Sequence, residues 1–328
     1  MMKRRQVFNV IGGALAVLAM SSAASVFAQT WQPDKPIRIV NVFSAGGPGD
    51  ILARTLAKGM AETLNTSVIV DSKPGAGGII ATSYVAKSAP DGYNILLSHL
   101  GPHAIIPALR KDVPYDPVRD FAAISQVSFG PTLLVIRNDI PVHNVKELID
   151  YAKANPGKLA FGSVGVGSTT HLAGEMLNLM GGIETLHIPY KGGQEILADL
   201  MGGRLSMAFI GISGVVHFAE QGKVRALGVS TLKRSVNFPN IPAVSETLPG
   251  FDLNSWYGLA AAAGTPRPII MRLNQAVNHA LKQPEIIETM KKGGIDPNGT
   301  TPEESAAFVK AEVEKWAKVV KAVNLAPN

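Results

Sequence analysis

Apolar and polar positions along the chain alternate between two patterns. Short apolar runs typical of buried strands occur at residues 37–43, 67–70, 93–98, 159–161, 186–188, 206–210 and 225–229. Amphipathic stretches typical of helices occur at residues 50–64, 79–87, 145–154, 170–180 and 194–201. Short strands that alternate with helices predict an α/β protein with mostly parallel sheets. Right-handed crossovers then place the strand-to-helix turns at one edge of each sheet, where α/β proteins bind ligands.

The C-terminal segment predicts a further helix that packs on the core. Thr301, Pro302 and Glu304 supply an N-cap, a proline at the first helical position and a carboxylate at the third. Four valines and a tryptophan then share one helical stripe: Val309, Val313, Trp316, Val320 and Val323. We interpret this stripe as core packing rather than as a cofactor contact.

Two long apolar stretches, at residues 121–138 and 251–264, predict passages of the chain between two lobes. Linkers between domains are usually exposed and polar, and these stretches are not. If both are crossing strands, lobe one comprises residues 29–131 plus 255–328, and lobe two comprises residues 132–254. Two crossings form a hinge, which allows the lobes to close over a ligand. Two sequential domains joined by one linker are the alternative.

Four glycine-rich turns separate a predicted strand from a predicted helix. The turn at residues 162–171 leaves several backbone N–H groups unpaired at a helix start, and such donors suit an anion. A second turn, at residues 44–50, ends in Asp50, which we interpret as an N-cap or a first-turn acid rather than a ligand contact. Turns at residues 73–78 and 190–193 have the same arrangement. Tight turns also need glycine for conformational reasons, so the prediction depends on the four occurring together.

The first 28 residues predict a secretory signal peptide. Residues 3–5 are basic, residues 7–20 are apolar, and residues 26–28 resemble a cleavage site. An uncleaved N-terminal anchor is the alternative. Cleavage would lower the formal charge from +6 to +3, because three basic residues and no acidic ones are lost. That charge does not indicate a nucleic-acid partner, and the absence of cysteine excludes thiol nucleophiles and thiolate metal sites.

Motifs for other chemistry are incomplete. The turn at residues 165–170 begins like a dinucleotide-binding loop but lacks the third glycine, and no Walker A or G-x-S-x-G sequence occurs. Two pairs four positions apart, His99 with His103 and His171 with Glu175, could hold a metal on a helix, but we favour no metal site. No carboxylate or histidine pair is placed for acid–base catalysis. The pattern therefore predicts a binding protein without a cofactor rather than an enzyme.

A series of short motifs runs through the chain in a fixed order. They are Pro36-Ile37-Arg38-Ile39-Val40, Gly46-Gly47-x-x-Asp50, Ala53-Arg54, Lys73-Pro74-Gly75-Ala76-Gly77-Gly78, Pro90-Asp91-Gly92-Tyr93, Pro114-Tyr115-Asp116-Pro117, Asp120-Phe121, Ala152 to Lys158, Gly162-Ser163, His171 to Glu175, His187 to Gly192, Asp199 to Gly203 and Gly264-Thr265-Pro266. Together they resemble the extracytoplasmic solute receptors of the tripartite tricarboxylate transporter system, called Bug receptors in Bordetella. The resemblance covers essentially the whole mature chain.

The resemblance implies a type II periplasmic-binding fold, in which two α/β lobes joined by two crossing strands surround a ligand cleft. It implies that lobe closure captures a small carboxylate, such as an organic acid, an aromatic acid or an acidic amino acid. The ligand would be delivered to a permease with a large and a small integral-membrane subunit. Such a receptor would act in the periplasm as a monomer, without a cofactor, a metal or nucleic acid.

By motif, the resemblance also implies two loops that hold the carboxylate through backbone amides, at residues 43–47 and 163–170. The predicted ligand-binding set is Phe43, Ser44, Ala45, Gly46, Gly47, Ser98, Ser163, Gly165, Gly167, Ser168, Thr169, Thr170 and Tyr190. Phe43 would form a wall, and the hydroxyl groups would add donors. Asp50, His171 and Lys191 are predicted to cap a helix or to support the site from behind.

The first loop departs from the family pattern. The usual two prolines before the paired glycines are Ser44 and Ala45 here, and Ser44 could donate an additional hydrogen bond to the ligand. We expect this departure to affect ligand identity rather than the fold. Two other functions are considered: a sensor that presents ligand to a membrane histidine kinase, and an enzyme on the same fold. Deaminases that share the lobes attach their cofactor through a cysteine, which this chain lacks.

Overall fold

The computed structural model describes residues 31–292 and 295–322, so the predicted signal peptide at 1–28 lies outside the described residues. The strands are β1 (Ile37–Asn41), β2 (Val68–Ser72), β3 (Asn94–His99), β4 (Phe121–Ile136), β5 (Ala160–Ser163), β6 (Leu186–Pro189), β7 (Met207–Gly211), β8 (Arg225–Val229), β9 (Asn254–Ala262) and β10 (Asp296–Pro297). The helices are α1 (Pro48–Leu64), α2 (Ile79–Ala86), α3 (Ile106–Leu109), α4 (Val145–Ala154), α5 (Thr169–Gly181), α6 (Gly193–Met201), α7 (Ile212–Glu220), α8 (Arg267–Ala280), α9 (Pro284–Lys292) and α10 (Pro302–Ala322). The alternation of strands and helices is as predicted.

The strands form two groups, and each group contains three strands that run parallel to one another. In the first group, β1 lies between β2 and β3 and is parallel to both, and β9 adds antiparallel to β3. In the second group, β5 lies between β6 and β7 and is parallel to both, and β4 adds antiparallel to β7. The carboxyl ends of β1, β5, β6 and β7 each lead into a helix. The loops that follow these strands therefore lie at equivalent edges of the two groups.

Strand β4 connects the two groups. Its residues 121–131 pair with β9, whereas residues 132–136 pair with β7 and β8. The change of partner falls between Pro131 and Thr132. Proline has no N–H to donate to a ladder, which suits a position where one set of pairings ends.

Helix α10 packs on the core as predicted. The Glu304 N–H donates to Thr301 Oγ1 at 3.2 Å, and the Thr301 N–H donates to the Glu304 carboxylate at 2.9 Å, so the predicted reciprocal cap is confirmed. On the predicted stripe, Trp316 and Val320 are buried, while Val309 and Val313 are partly buried. Val323 lies outside the described residues.

Two buried tryptophans donate hydrogen bonds to one carboxylate on α10. Trp256 on β9 and Trp316 are each 1% exposed. Their indole N–H groups donate to Glu312 Oε2 at 2.9 and 3.0 Å. A single acceptor therefore satisfies both buried donors, which would otherwise carry a desolvation cost.

The structure differs from the predicted pattern at the end of β1 and in four helices. Strand β1 ends at Asn41 rather than at residue 43, because the Asn41 side chain accepts from the Phe43 N–H (3.2 Å) and donates to the Phe43 carbonyl (3.1 Å). Helix α7 is not predicted, because it follows β7 directly at Gly211 with no polar break. Helices α3, α8 and α9 also lie outside the predicted set.

Candidate functional site

A cavity lies where the strands end and the helices begin. Among the described residues, four helices start at its wall: α1, α5, α6 and α7. The space between protein atoms is about 760 Å³, which includes volume open to solvent. Helix N-termini carry partial positive charge and unpaired N–H groups. The arrangement therefore favours an anionic ligand.

The loop between β1 and α1, which we call the first loop (residues 42–47), is organised by a buried carboxylate. Asp50, 3% exposed, accepts from the Gly46 N–H at 2.9 Å and from Arg54 Nε at 2.8 Å. Burial by itself raises the pKa of Asp50, but the hydrogen bonds from Arg54 and Gly46 outweigh it and hold the pKa below its usual value. Gly47 is the N-cap and Asp50 is the third residue of α1, so of the two predicted roles, N-cap or first-turn acid, Asp50 has the second.

The loop between β5 and α5, the second loop (residues 164–168), is organised by neutral groups. Ser163 Oγ accepts from the Gly165 N–H at 3.1 Å, and Thr170 Oγ1 accepts from the Val164 N–H at 3.1 Å. The Gly167 N–H donates to His171 Nδ1 at 3.2 Å. These glycine amides, which the sequence predicts as ligand donors, are thus used to hold the loop.

Two histidines stack behind the second loop. The rings of His171 and His187 lie 4.1 Å apart between centroids, and His187 Nε2 lies 2.6 Å from Ser163 Oγ. Burial, together with nearby His171, lowers the pKa of His187 to about 4. His171 Nδ1 accepts from Gly167, so the proton of a neutral ring lies on Nε2, 3.5 Å from Glu175 Oε1. The contacts from Ser163 through His187 and His171 to Glu175 therefore hold the second loop in place.

The start of α5 has donors without an acceptor among the described residues. Ser168 is the N-cap, and its Oγ accepts from the His171 N–H at 3.2 Å. The amides of Thr169 and Thr170 have no acceptor among the described residues, and both residues line the cavity. Thr169 Oγ1 is buried and also has no partner within that part of the chain. Two amides and one hydroxyl are thus available to a ligand at one helix N-terminus.

The four helix starts differ in charge. The first turns of α1 and α6 contain Asp50 and Glu195, whose carboxylates accept from loop amides. The first turns of α5 and α7 contain no acidic residue. A carboxylate in the first turn offsets the helix dipole. The positive ends of α5 and α7 are therefore the ones that remain to attract an anion.

Three aromatic rings form one wall of the cavity. Phe43 contacts His99 at 4.9 Å and Tyr257 at 6.1 Å between ring centroids, and His99 contacts Tyr257 at 4.8 Å. Burial lowers the pKa of His99 to about 3, so the ring is neutral. Its Nδ1 accepts from the Gly101 N–H at 3.2 Å, which places the proton on Nε2, 2.7 Å from Ser255 Oγ. The Ser255 hydroxyl accepts that bond and keeps its own proton to donate.

The first loop also contacts the turn before α6. Gln194 Nε2 donates to the Gly46 carbonyl at 2.9 Å, and Ser44 Oγ donates to the Lys191 carbonyl at 3.3 Å. The hydroxyl that was expected to bond the ligand therefore has a protein acceptor. These two bonds join loops that follow strands of different groups.

The described residues contain no group of three or more His, Cys, Asp or Glu placed to hold a metal ion. In the same part of the chain, no helix has the length and apolar character needed to cross a bilayer.

Comparison with known proteins identifies the family. The model of the tripartite tricarboxylate transporter family receptor matches residues 52–325. The chain belongs to this family. BugT of Bordetella pertussis (strain Tohama I) is 34% identical over 322 residues, which are 98% of this chain and 98% of BugT.

Two solved structures are similar over almost their whole length. The periplasmic binding protein BugD has a TM-score of 0.87 and 37% identity, with 90% of this receptor and 100% of BugD covered. R. palustris Rpa4515 with adipate has a TM-score of 0.87 and 34% identity, with 90% and 99% covered. The predicted two-lobed type II periplasmic-binding fold is thus confirmed. The chain is a solute-binding receptor of this family and not an enzyme.

The receptor's cavity contains part of the predicted ligand-binding set. Phe43, Ser44, Gly47, Thr169 and Thr170 line it. The remaining predicted residues lie outside the lining: Ala45, Gly46, Ser98, Ser163, Gly165, Gly167, Ser168 and Tyr190.

Two of the residues outside the lining have contacts of their own. The Tyr190 hydroxyl donates to Asp199 at 2.9 Å, and burial together with that carboxylate raises the pKa of Tyr190 to about 12. Ser98 lines a separate small cavity with His103. Among the predicted supporting residues, Asp50 and His171 hold the two loops, and Lys191 supplies the carbonyl that Ser44 contacts.

Several lining residues are not in the predicted set. Polar ones are His99, Thr132, Gln194, Ser213, Ser255 and Tyr257. Thr132 and Ser255 come from β4 and β9, the two strands that the sequence predicts to cross between the lobes, and not from a glycine-rich turn. The sequence signal that could have located Thr132 is the Gly130-Pro131 pair directly before it.

Proposed function

We propose that this receptor captures a small carboxylate-bearing metabolite between its two lobes and delivers it to a tripartite tricarboxylate-type transporter. The observation that carries the proposal is the start of α5. Thr169 and Thr170 line the cavity there, and their amides and the Thr169 hydroxyl have no partner among the described residues. A carboxylate accepts several hydrogen bonds and is attracted by a helix N-terminus that has no acidic residue. The adipate in the related Rpa4515 structure is consistent with that ligand class.

The proposed lobes are residues 29–131 plus 255–328 and residues 132–254. The exchange of strand partners in β4 at Pro131 and Thr132 supports the first boundary. The β4–β9 pairing ends at Asn254, which supports the second. Movement about these two positions would open and close the cavity, because its walls come from both strand groups.

The proposed place of action is the periplasm, after cleavage of the signal peptide at residues 1–28. Membership of the transporter-receptor family supports a partnership with permease subunits, one large and one small. We propose that the receptor meets them as a monomer. Uptake of a radiolabelled ligand by cells that lack the receptor gene, with and without its re-expression, tests delivery separately from binding.

Isothermal titration tests the binding step. Protein freed of co-purified ligand by unfolding and refolding would be titrated with dicarboxylates, tricarboxylates, aromatic acids and acidic amino acids. We expect at least one acid to bind with a Kd of roughly 1 μM, or about −8 kcal/mol. Absence of binding to every acid in the panel, in protein with native circular dichroism, would contradict the proposal.

A further inference from the structure

The cavity contains a buried hydroxyl for which the described residues offer no partner and which the loop motifs do not predict. Thr132 is 3% exposed and lines the cavity, and its Oγ1 has no hydrogen-bond partner among the described residues. A buried hydroxyl without a partner carries a desolvation cost. Its backbone N–H is already used, since it donates to Ser230 Oγ at 3.0 Å. The side chain is therefore the group left for a ligand.

The surroundings of Thr132 are rigid. The residue lies in register opposite Gly211, the residue that precedes α7, and its carbonyl accepts from the Ser230 N–H at 2.9 Å. A strand residue held on both backbone groups presents its side chain with little freedom. Rigid placement is what a residue needs in order to discriminate between ligands.

The described lining of the cavity offers no carboxylate that could pair with a positive charge. Among the described residues that line it, none is Asp, Glu, Lys or Arg, and the one histidine is held neutral by burial. One carbonyl of the first loop, that of Gly46, already accepts from Gln194. An ammonium group brought into this space would lose its hydration and face the positive ends of α5 and α7. Such a group is disfavoured on both counts.

Much of the remaining wall is apolar. The side chains that form it are Phe43, Val164, Ile196, Phe209, Ile210 and Ile212. An apolar wall stabilises the hydrocarbon part of a ligand, while a few polar groups fix its orientation. The ligand class that matches has a carboxylate, an apolar body and a further polar atom.

We infer that the receptor selects carboxylic acids that carry no ammonium group, and that Thr132 Oγ1 hydrogen-bonds a polar atom of the bound acid. This inference rests on the proposed function and narrows its ligand class. In this inference Thr132 determines specificity, whereas the amides of α5 bind the carboxylate.

Matched pairs of acids test the ligand class. Ligand-freed receptor would be titrated with glutarate and glutamate, succinate and aspartate, and 3-phenylpropanoate and phenylalanine. For every acid that binds, we expect the amino counterpart to bind at least about ten-fold more weakly. An amino acid that binds as tightly as its counterpart overturns the inference but leaves the carboxylate function standing. Absence of binding to all six and to the tricarboxylates of the wider panel contradicts the carboxylate function and, with it, this inference.

The variant Thr132→Val tests the hydroxyl, because it keeps the side-chain shape. We expect affinity for the best acid to fall about ten-fold, while the midpoint of urea unfolding stays unchanged or rises, since an unpaired buried hydroxyl is removed. Thr132→Ser should retain most of the affinity. Thr63→Val is the matched control, because Thr63 Oγ1 is also unpartnered but lies outside the cavity.

Wild-type affinity in Thr132→Val would overturn the role of Thr132. If the valine variant did not fold, Thr132→Ala and Thr132→Ser would be compared, and equal affinities in that pair would overturn it as well.

Discussion

The two loops that face the cavity follow equivalent strands but are held by different chemistry. In the first loop, the Gly46 amide is bound by the ionised Asp50, which Arg54 also contacts. In the second loop, the Gly165 and Gly167 amides are bound by a hydroxyl and by an imidazole nitrogen. Each loop therefore uses its glycine amides internally, and the difference lies in the charge of the acceptor.

The charge of the acceptor decides which loop can attract an anion. Asp50 places a negative charge at the start of α1 and offsets the partial positive charge of that helix. Neutral acceptors leave the start of α5 positive, and there the amides of Thr169 and Thr170 remain open. We propose from this comparison that the carboxylate binds at the second loop and that the first loop has a mainly structural role.

A charge placed at the start of α5 should have the largest effect. In Thr169→Asp, an aspartate at the first helical position is favourable for the helix, so we expect the protein to fold. The new carboxylate would repel the ligand's, and affinity should fall by about a hundred-fold or more in calorimetric titration. Thr169→Asn is the neutral control and should lose much less. Equal affinity in the aspartate variant and the wild type would place the anion elsewhere.

As the pH falls, protonation of buried histidines should destabilise the native state before protonation of Asp50 affects the first loop. Burial lowers the pKa of His99 to about 3 and those of His103 and His187 to about 4, below the usual 6.5. The unfolded chain then binds protons between about pH 6.5 and 4 that the native state does not. The free energy of unfolding should therefore fall with pH, by about 1.4 kcal/mol per pH unit for each of the fully buried His99 and His103.

Urea unfolding at pH 7, 6 and 5 measures this slope. His103→Phe, which keeps an aromatic ring beside Phe121, should make it shallower. The pKa of Asp50 lies below 3.8, so its stabilising contribution persists over this range and is lost only at lower pH. A slope that is flat in the wild type would show that the histidines are not held neutral.

Removal of the charge in the first loop should have the smallest effect on binding. In Asp50→Asn, the amide oxygen can still accept from Gly46, but the ionic contact with Arg54 is lost, and we expect a loss of about 1 kcal/mol in the free energy of unfolding. Ligand affinity should change by less than about three-fold. Loss of the Asp50 charge makes the start of α1 more favourable for an anion, and this offsets the effect of a less ordered first loop. Loss of binding with unchanged stability would instead make Asp50 a ligand contact.

The sequence predicted the fold and the location of the loops better than it predicted the groups available within them. Alternating apolar runs and amphipathic stretches are local signals, and the strands and helices found near them follow from periodicity. Whether the amide of Gly167 is open depends on the rotamer of His171, which periodicity does not encode. Glycine content located the second loop, whereas side-chain hydrogen bonds determined which of its donors are open.

Long-range pairing explains the residues that the pattern missed. Thr132 reaches the cavity because β4 exchanges partners at Pro131. Ser255, on β9, reaches it because it lies opposite Gly130 of β4. These positions are more than a hundred residues apart in the chain, and their register is fixed only when both sheets form.

The paired indoles give the receptor a native optical reporter. Trp256 and Trp316 are two of the three tryptophans in the chain, both are almost fully buried, and both donate to Glu312. Their emission should lie at the short wavelengths of an apolar environment. Trp256 directly precedes Tyr257, which lines the cavity, so a small shift of β9 on ligand entry would be visible as a change in fluorescence without any attached dye.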